Sequence, residues 1–321
     1  MALGFVLAKT KLLLWNSIFE KIFSLALFSL LFSMGLRLGQ SRDVLSQLPL
    51  IGLLAFFGTI FACGGTIIFQ LCMIPVYRVF DSKPDINFGI QEKLTDRHKK
   101  LADSYAVRPK QSISKRLAFF LYNMKKPGIL LLLVFAGTGV GLILPHFEIL
   151  SNGTVATWIL YALLFLIGIQ MACGDSSLKA SFSTPAVLLV PIVTVLGSLA
   201  GSLILLVFYD ITPGQALALG SGFGWYSLSG VLIADLGYPM LGAAAFLSNL
   251  LRETLAFIVI PLLRPIGRWE SGIGIAGATS MDVTLPVLED TWGAQIIPFA
   301  VVHGVILSFL VPFLVPFVMT F

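Results

Sequence analysis

Long apolar stretches separated by short polar ones run along most of this chain, and their lengths predict membrane-spanning helices. An apolar helix of about 20 residues can cross a hydrocarbon core about 30 Å thick. We expect spans at about residues 22–38, 48–75, 128–146, 154–173, 185–208, 240–262 and 295–320. The opening residues are also apolar, but Lys9 and Lys11 interrupt them, and we interpret them as a short or incomplete first helix. The predicted fold class is therefore an all-α polytopic membrane protein with about eight transmembrane helices.

Two further apolar segments, residues 214–236 and 271–289, differ from the others because they are rich in Gly, Ser, Thr and Pro. Such compositions favour interrupted helices. Backbone groups freed at an interruption are tolerated in a membrane only where they face protein or a water-filled cavity. We therefore expect two re-entrant or broken helical segments that line a cavity, which is a common way for transporters to build a binding site.

Internal repeats relate parts of the apolar pattern to one another. "SLLFSMGLRLG" at residues 29–39 aligns with "YALLFLIGIQM" at 161–171, and the alignment goes on to pair Gly65 with Gly201. A second, weaker repeat pairs Gly237 with Gly293. In each case an odd number of crossings separates the two copies, so we expect both repeats to be inverted across the membrane. Inverted repeats around discontinuous helices are typical of secondary transporters.

Charge is sparse along the chain and unevenly placed. Hydrophobic residues make up 57% of the chain and charged residues 12%, and 12 of the 21 Lys and Arg residues lie between Tyr77 and Pro127. A basic excess in one loop is the positive-inside pattern of a cytoplasmic loop, so the net charge of +5 requires no nucleic-acid partner. With this loop inside, we expect residues 271–289 to dip in from the cytoplasm and residues 214–236 from outside, and the chain to end outside.

These features divide the chain into four parts. They are a first helical repeat at 1–76, a basic cytoplasmic loop at 77–127, a second helical repeat at 128–210, and a substrate-binding unit at 211–321 that holds both discontinuous segments. The cysteines Cys63, Cys72 and Cys173 lie in or beside apolar runs without the spacing of a metal site, so we expect them to be packing residues.

An acidic residue, Asp282, lies in the small-residue stretch "GATSMDVTLP" at residues 277–286. An ionised carboxylate in hydrocarbon costs several kcal/mol, so an intramembrane acid is a candidate for a functional site. The alternative is that Asp282 only caps the start of a half-helix. Two more charged residues, Arg252 and Glu253, lie near the middle of the span expected at 240–262. Adjacent side chains on a helix point about 100° apart, so we do not expect these two to pair with each other.

Four motifs occur in order along the chain. They are "SGFGWYSLSG" at 221–230, "LLRE" at 250–253, "GATSMDVTLPVL" at 277–288 and "VHGVILS" at 302–308. Together they resemble the bacterial lysine exporter family, LysO type, over most of the chain and most clearly from residue 155 to the end. The resemblance implies a multi-pass inner-membrane exporter of L-lysine and lysine analogues, driven by an ion gradient rather than by ATP. The chain has no Walker motif, which agrees with this expectation.

The resemblance suggests how the candidate residues bind lysine. Asp282 is expected to bind the side-chain ammonium, and free N–H groups at the broken backbone around Gly222 and Gly224 are expected to bind the carboxylate. The hydroxyls beside Asp282 either bind the amine or a coupling ion or only let helices pack closely. Trp225 and Tyr226 either form a gate or stack on the substrate, or they simply pack. The expected substrate-binding residues are Asp282, Ser280, Thr279, Thr284, Gly222, Gly224, Trp225, Tyr226, Ser227, Arg252 and Asn249.

Three residues are candidates for proton coupling, namely Asp282, Glu253 and His303. A carboxylate cannot keep its proton and form a strong ion pair with an ammonium group, so Asp282 alone could couple the two fluxes. Glu253 either carries a second proton or belongs to a structural charge network inside the helix bundle. Arg252 could also act as a switchable partner or as a clamp for the substrate carboxylate. His303 either relays protons or is a neutral imidazole bonded to a backbone carbonyl.

The predicted function is therefore secondary active export of L-lysine by proton antiport. The alternative is a sodium-coupled transporter of a small organic anion or a neutral amino acid, for which paired broken helices are equally suitable. No nucleophile–base set or metal-ligand cluster is visible in the sequence, so we expect no enzyme activity, no cofactor and no metal site. The expected partners are lysine, a proton and membrane lipid, with assembly as a homo-oligomer allowed and no nucleic acid.

Overall fold

Helices account for the regular structure in the described part of the chain. The computed structural model describes residues 17–40, 48–81, 125–144, 158–163, 165–166, 169, 185–265, 268–293 and 296–321. The expected first helix before residue 17, most of the basic loop and much of the span expected at 154–173 lie outside these ranges.

We number the long and short α-helices in chain order. They are α1 (Ser17–Gln40), α2 (Leu48–Cys72), α3 (Ile74–Asp81), α4 (Lys125–Ile143), α5 (Pro185–Ser202), α6 (Pro213–Gly220), α7 (Tyr226–Asp235), α8 (Pro239–Leu263), α9 (Trp269–Ala276), α10 (Leu285–Trp292) and α11 (Ile297–Val318). Two 3₁₀ turns, Leu203–Val207 and Gly277–Met281, follow α5 and α9, and residues 158–163 are also helical.

Four of the described helices are long and apolar enough to cross a membrane. They are Leu48–Cys72, Leu188–Val207, Pro239–Leu263 and Ile297–Val318. Each agrees within a few residues with an expected span. Shorter apolar helices at Lys21–Ser33 and Leu132–Ile143 lie within α1 and α4. The protein is thus an all-helical, multi-pass membrane protein in its described part, while the total of about eight spans and the inverted repeats stay predictions.

The long helices expose apolar side chains and bury polar ones, which is the reverse of a water-soluble protein. On α2, Leu53 and Phe56 are exposed, whereas Thr66 and Gln70 are completely buried. Lipid is as apolar as the exposed side chains, but it offers no hydrogen bond, so a hydroxyl or an amide must find its partner inside the protein. The buried polar residues therefore indicate where the helices meet around a site.

Glycines bring the long helices into backbone contact. The backbones of α2 and α5 touch at Gly65 and Gly201, and α1 meets α4 through Gly35 and Gly137. A Cβ at any of these positions would collide with the backbone of the neighbouring helix. Small residues allow this close approach, which favours helix association in a membrane.

Residues 213–235 form a helical hairpin, in which a break at 221–225 joins α6 to α7. Ile211, just before α6, Gln215, in its first turn, and Tyr238, just after α7, line the same cavity of about 240 Å³. The first residues of α8 line this cavity too. The chain therefore enters and leaves this hairpin at one end of the molecule, the end at which α8 begins.

Residues 269–292 form a second hairpin, in which a break that includes the second 3₁₀ turn joins α9 to α10. Trp292, at the end of α10, lies against Gly272 near the start of α9. The ring of Trp269 lies 4.9 Å from the ring of Phe299, which is near the start of α11. The second hairpin therefore opens where α8 ends and α11 begins, opposite to the first hairpin.

Candidate functional site

The two hairpins meet tip to tip. The Phe223 carbonyl in the first break accepts a hydrogen bond of 2.8 Å from the N–H of Ala278 in the second break. Phe223 has a φ of 49°, a left-handed conformation that is uncommon for a residue with a side chain. Gly277 has a φ of 63°, and a Cβ there would collide with the Phe223 carbonyl oxygen. Strained backbone of this kind clusters at functional sites, so this crossing is the candidate site.

Asn249 on α8 holds the tip of the first hairpin. Its Oδ1 accepts a hydrogen bond of 2.7 Å from the N–H of Gly224. Its Nδ2 donates to the Ser229 hydroxyl at 3.2 Å and to the Ala245 carbonyl at 2.9 Å. Gly222 lies so close to the same side chain that a Cβ there would collide with it. Asn249 therefore supplies a partner for a backbone donor that the helix break leaves free.

Arg252 on α8 holds the second hairpin. Its Nη2 donates to the Gly274 carbonyl at 3.1 Å and its Nε to the Ile275 carbonyl at 3.3 Å. Both carbonyls lie at the C-terminal end of α9, where the helix dipole favours a positive charge. The guanidinium also donates to the hydroxyls of Ser198 at 2.9 Å and Thr66 at 3.4 Å. The side chain is 3% exposed, and no described carboxylate lies within ion-pair distance.

Glu253 has an unusual environment for a carboxyl group. The side chain is 1% exposed, and neither carboxyl oxygen has a hydrogen-bond partner among the residues that the structure describes. The charge of Asp282 acts on Glu253 and is of the same sign. An ionised carboxylate that is buried without a donor loses several kcal/mol of hydration energy. Glu253 is therefore stable in this environment as the neutral acid or together with a bound cation.

Asp282 lies exposed in the break of the second hairpin. Its Oδ1 accepts a hydrogen bond of 2.6 Å from the N–H of Val283, whereas the N-cap of α10 is Thr284. The substrate-binding role of Asp282 stays a prediction. The charges of Asp282 and Glu253 both act on the hydroxyl of Tyr226.

His303 on α11 is 1% exposed and is bonded through both ring nitrogens. Nε2 lies 3.0 Å from the Thr194 hydroxyl and Nδ1 lies 3.1 Å from the Ser280 hydroxyl. Ser280 donates its own proton to the Ala300 carbonyl at 2.8 Å, so it accepts from Nδ1–H. A neutral imidazole with its proton on Nδ1 therefore satisfies all these partners. The proton-coupling role of His303 stays a prediction.

The threonines of the second break bond to backbone carbonyls. Thr279 donates its hydroxyl proton to the Ala276 carbonyl at 2.8 Å, and Thr284 donates to the Thr279 carbonyl at 2.9 Å. The two hydroxyl oxygens are 3.4 Å apart. Both donors are thus used to stabilise the break, while the lone pairs of the oxygens remain able to accept.

The first turn of α7 carries the remaining predicted residues. Trp225 is its N-cap and provides no side-chain cap. Trp225 and Tyr226 are half-buried, and Ser227 is buried. The first N–H groups of a helix have no partner within the helix, and the described residues supply none for Tyr226, Ser227 or Leu228. The hairpin tip therefore presents backbone donors that no described residue uses.

Several residues of the site were missed by the sequence analysis. Phe223 gave no signal, because a phenylalanine is not expected at positive φ. Thr66 and Gln70 did give a signal in the sequence, because two polar residues four apart on an apolar helix lie on the same face. Among the residues that the structure describes, no group of three or more His, Cys, Asp or Glu side chains is placed to hold a metal ion.

Comparison with known proteins places this chain beside bacterial exporters. The family described as "Lysine exporter LysO" matches residues 131–319, a region that contains both hairpins. "Lysine exporter LysO" of Escherichia coli (strain K12) is 41% identical over 202 residues, which are 63% of this chain and 65% of that protein. The "Putative lysine exporter" of Haemophilus influenzae is 36% identical over 165 residues, which are 51% of this chain and 82% of that protein. The match thus spans slightly less than two thirds of the Escherichia coli relative, and no solved structure matches.

Proposed function

The chain belongs to the lysine exporter LysO family, and we propose that it exports L-lysine and its cationic analogues across the bacterial inner membrane in exchange for protons. The residues that carry this proposal lie within the matched region. Lysine has two ammonium groups, one carboxylate and a net charge of +1. A site for lysine therefore needs carboxylates for the ammonium groups and N–H donors for the carboxylate.

The observation that carries the proposal is the environment of Glu253. This carboxyl group is 1% exposed and has no partner within the described residues, and a second carboxylate, Asp282, acts on it. Two acids whose like charges act on each other favour the binding of a cation, either a proton or an ammonium group. The two acids are therefore suited to exchanging a proton for an ammonium group.

Asp282 is the group that we assign to the substrate ammonium. It is exposed, so lysine can reach it, whereas Glu253 is enclosed and better suited to a proton. When lysine binds, its positive charge favours the ionised form of both acids. When lysine leaves, the repulsion between the acids favours taking up a proton. Lysine and the proton therefore compete for the negative charge of the two carboxylates.

The substrate carboxylate is expected to bind at the first turn of α7. The N–H of Gly224 already donates to Asn249, but those of Tyr226 and Ser227 have no acceptor among the described residues. The N-terminal end of a helix combines free N–H groups with a positive dipole end, which favours an anion. Arg252 is a poorer candidate for a clamp because four polar atoms of the protein already hold its guanidinium.

The arrangement of the helices supports a transporter with inverted repeats. Gly65 and Gly201, which the first repeat pairs, touch each other, as equivalent residues do beside a pseudo-two-fold axis. Gly237 and Gly293, which the second repeat pairs, end their hairpins with φ values of 96° and 94°. The hairpins open to opposite ends and meet at their tips. We propose that they are re-entrant from opposite sides of the membrane, so that each closes one side of the site in turn.

Lysine flux in everted membrane vesicles tests the proposal. With the lumen made acidic, we expect lysine to enter the vesicles, and we expect Asp282→Asn to abolish this flux although the variant inserts normally. The matched control is Glu289→Gln, which neutralises an exposed acid in the same hairpin and should transport normally. Normal flux through Asp282→Asn contradicts the proposal. Flux that follows an imposed sodium gradient instead of the pH gradient favours the sodium-coupled alternative.

A further inference from the structure

A chain of hydrogen bonds between buried side chains leads from α3 to the second hairpin. The Tyr77 hydroxyl donates to Oε1 of Gln70 at 2.6 Å, and Nε2 of Gln70 donates to the Thr194 hydroxyl at 2.9 Å. Thr194 in turn donates to His303, which donates to Ser280. All five side chains are at most 1% exposed. The chain therefore runs entirely inside the protein.

The donor and acceptor at each link are fixed by the bonds around them. Nε2 of Gln70 also donates to the Val190 carbonyl at 3.0 Å, so the amide has one possible orientation. Burial, and to a smaller extent the charge of Glu270, raise the pKa of the Tyr77 hydroxyl. Tyr77 therefore remains a donor at physiological pH. In every one of these hydrogen bonds the acceptor lies nearer to the hairpin than the donor. Every donor in the chain has an acceptor.

Gln70 also touches the second hairpin directly. Gly274 lies in the last turn of α9, and a Cβ there would lie 2.9 Å from Cγ of Gln70. Gln70 thus contacts one arm of the hairpin by packing and its tip through the hydrogen-bond chain. Asp282 follows Ser280 by two residues, so a shift at Ser280 moves the carboxylate of Asp282.

We propose that Gln70 is a positioning residue for the transport site. Through Thr194 and His303 it fixes Ser280, and by this means it sets where Asp282 lies relative to Glu253. An amide does not pass protons along as a hydroxyl does, so the chain holds the hairpin in place rather than conducting protons. The inference rests on the proposed transport function, because it gives Gln70 its effect through Asp282.

Two measurements on the variant Gln70→Leu test this inference, namely the KM for lysine and the rate of maleimide labelling. Leucine fills a similar volume but removes the acceptor for Tyr77 and both donors. We expect the KM for lysine to rise about tenfold or more, because buried partners are left unpaired and the tip loosens. We also expect a water-soluble maleimide to label a cysteine at Val283 several-fold faster in a background without Cys63, Cys72 and Cys173. This labelling needs no lysine, so it reports on the hairpin itself.

Matched variants separate positioning from a general loss of stability. Thr59→Val, on the same helix, removes an equally buried hydroxyl and should leave both readouts unchanged. This hydroxyl lies 2.7 Å from the Ala55 carbonyl, 2.9 Å from the Ser248 carbonyl and 3.1 Å from the Ser248 hydroxyl. Gln70→Glu, as the protonated acid, keeps an acceptor for Tyr77 and one donor, and should restore most of the function. Tyr77→Phe removes one hydrogen bond only and should give a smaller rise in the KM for lysine and in the labelling rate. This variant tests the inference if Gln70→Leu does not fold.

The possible outcomes have different meanings. Unchanged labelling in Gln70→Leu and Tyr77→Phe overturns the positioning role, as does an equal effect of Thr59→Val. Faster labelling with an unchanged KM for lysine supports positioning of the hairpin but contradicts lysine binding by Asp282. The failure of the inference and the failure of the proposed function are therefore distinguishable.

Discussion

Asn249 and Arg252, three residues apart on α8, each hold a different hairpin. Asn249 binds the backbone of Gly224 in the first break, and Arg252 binds the carbonyl of Gly274 at the end of α9. Residues three apart on a helix lie on the same face. The helix α8 is therefore a common support for both hairpins, and a movement of one hairpin that shifts α8 will be felt by the other.

Arg252→Lys should weaken this support. An ammonium group on a flexible stem cannot reach acceptors that the planar guanidinium contacts in several directions. We expect a loss of about 2 kcal/mol or more of folding stability, since hydrogen bonds from a charged group are lost. Thermal unfolding of the purified protein measures this, and lysine flux should fall with it. Arg264→Lys, at an exposed position near the end of α8, is the control. Equal melting temperatures for the two variants would show that the contacts of Arg252 are dispensable.

Gly277→Ala should be among the most damaging small changes in the chain. At a φ of 63° and a ψ of −135° a side chain is strained, and its Cβ would meet the Phe223 carbonyl oxygen. Backbone strain alone costs about 1–3 kcal/mol, so we expect at least this loss of stability. In Gly64→Ala the new Cβ meets nothing within 4 Å, and this variant should be as stable as the parent. The unfolding midpoints of the two variants measure the difference, and similar midpoints would contradict the tip-to-tip contact.

The breaks could be predicted from the sequence, but the contacts that hold them could not. The breaks at 221–225 and 277–284 lie in the two segments whose Gly, Ser and Thr content indicated interruption, because backbone freedom is a local property. The bond from Asn249 to Gly224 joins residues 25 apart, and that from Arg252 to Ser198 joins residues 54 apart. Such pairings depend on how the helices pack. That the carboxyl group of Glu253 has no hydrogen-bond partner within the described residues likewise appears only once its neighbours are placed.

Glu253→Gln should remove transport without lowering stability. The carboxyl oxygens have no partner within the described residues, so the neutral isostere loses no hydrogen bond. We expect a melting temperature equal to or above that of the parent, together with strongly reduced lysine flux. Glu270→Gln makes a useful contrast, because Glu270 is equally buried but lies 3.0 Å from Arg268. That variant should be less stable, since it breaks the ion pair between buried Glu270 and partly exposed Arg268. A destabilised Glu253→Gln that transports normally would favour a structural charge network.

The orientation of the hairpins predicts which reagents reach them. Gly214, at the start of α6, lies against Val318 at the end of α11. We therefore expect a reporter fused after Phe321 to be active outside the cell, and a cysteine at Gln215 to react with an impermeant reagent from outside. Protease added to the cytoplasmic side should cut within residues 77–127. An active reporter in the cytoplasm would refute the predicted number of crossings and the opposed hairpins.

Export of a cation against an inside-negative membrane potential needs a driving reaction. Moving one positive charge outward costs about 2.3 kcal/mol per 100 mV, so lysine leaves the cell uncoupled only down a steep gradient. Exchange for one proton cancels the charge movement and leaves the pH and lysine gradients to set the direction. Exchange for two protons adds the voltage as a driving force. Asp282 can provide one proton, and Glu253 is the group placed to provide a second.

Lysine binding should therefore release protons from the purified protein. In weak buffer, added lysine should lower the pH over the range in which the acids titrate, because an ammonium group displaces the proton of the carboxylate that it binds. Asp282→Asn should release none. If two protons move, Glu253→Gln should release one fewer than the parent. Lysine affinity should fall as the pH is lowered, since protons then compete more strongly. Affinity that is constant from low to high pH, together with flux that follows a sodium gradient, would overturn proton exchange and leave sodium coupling as the mechanism.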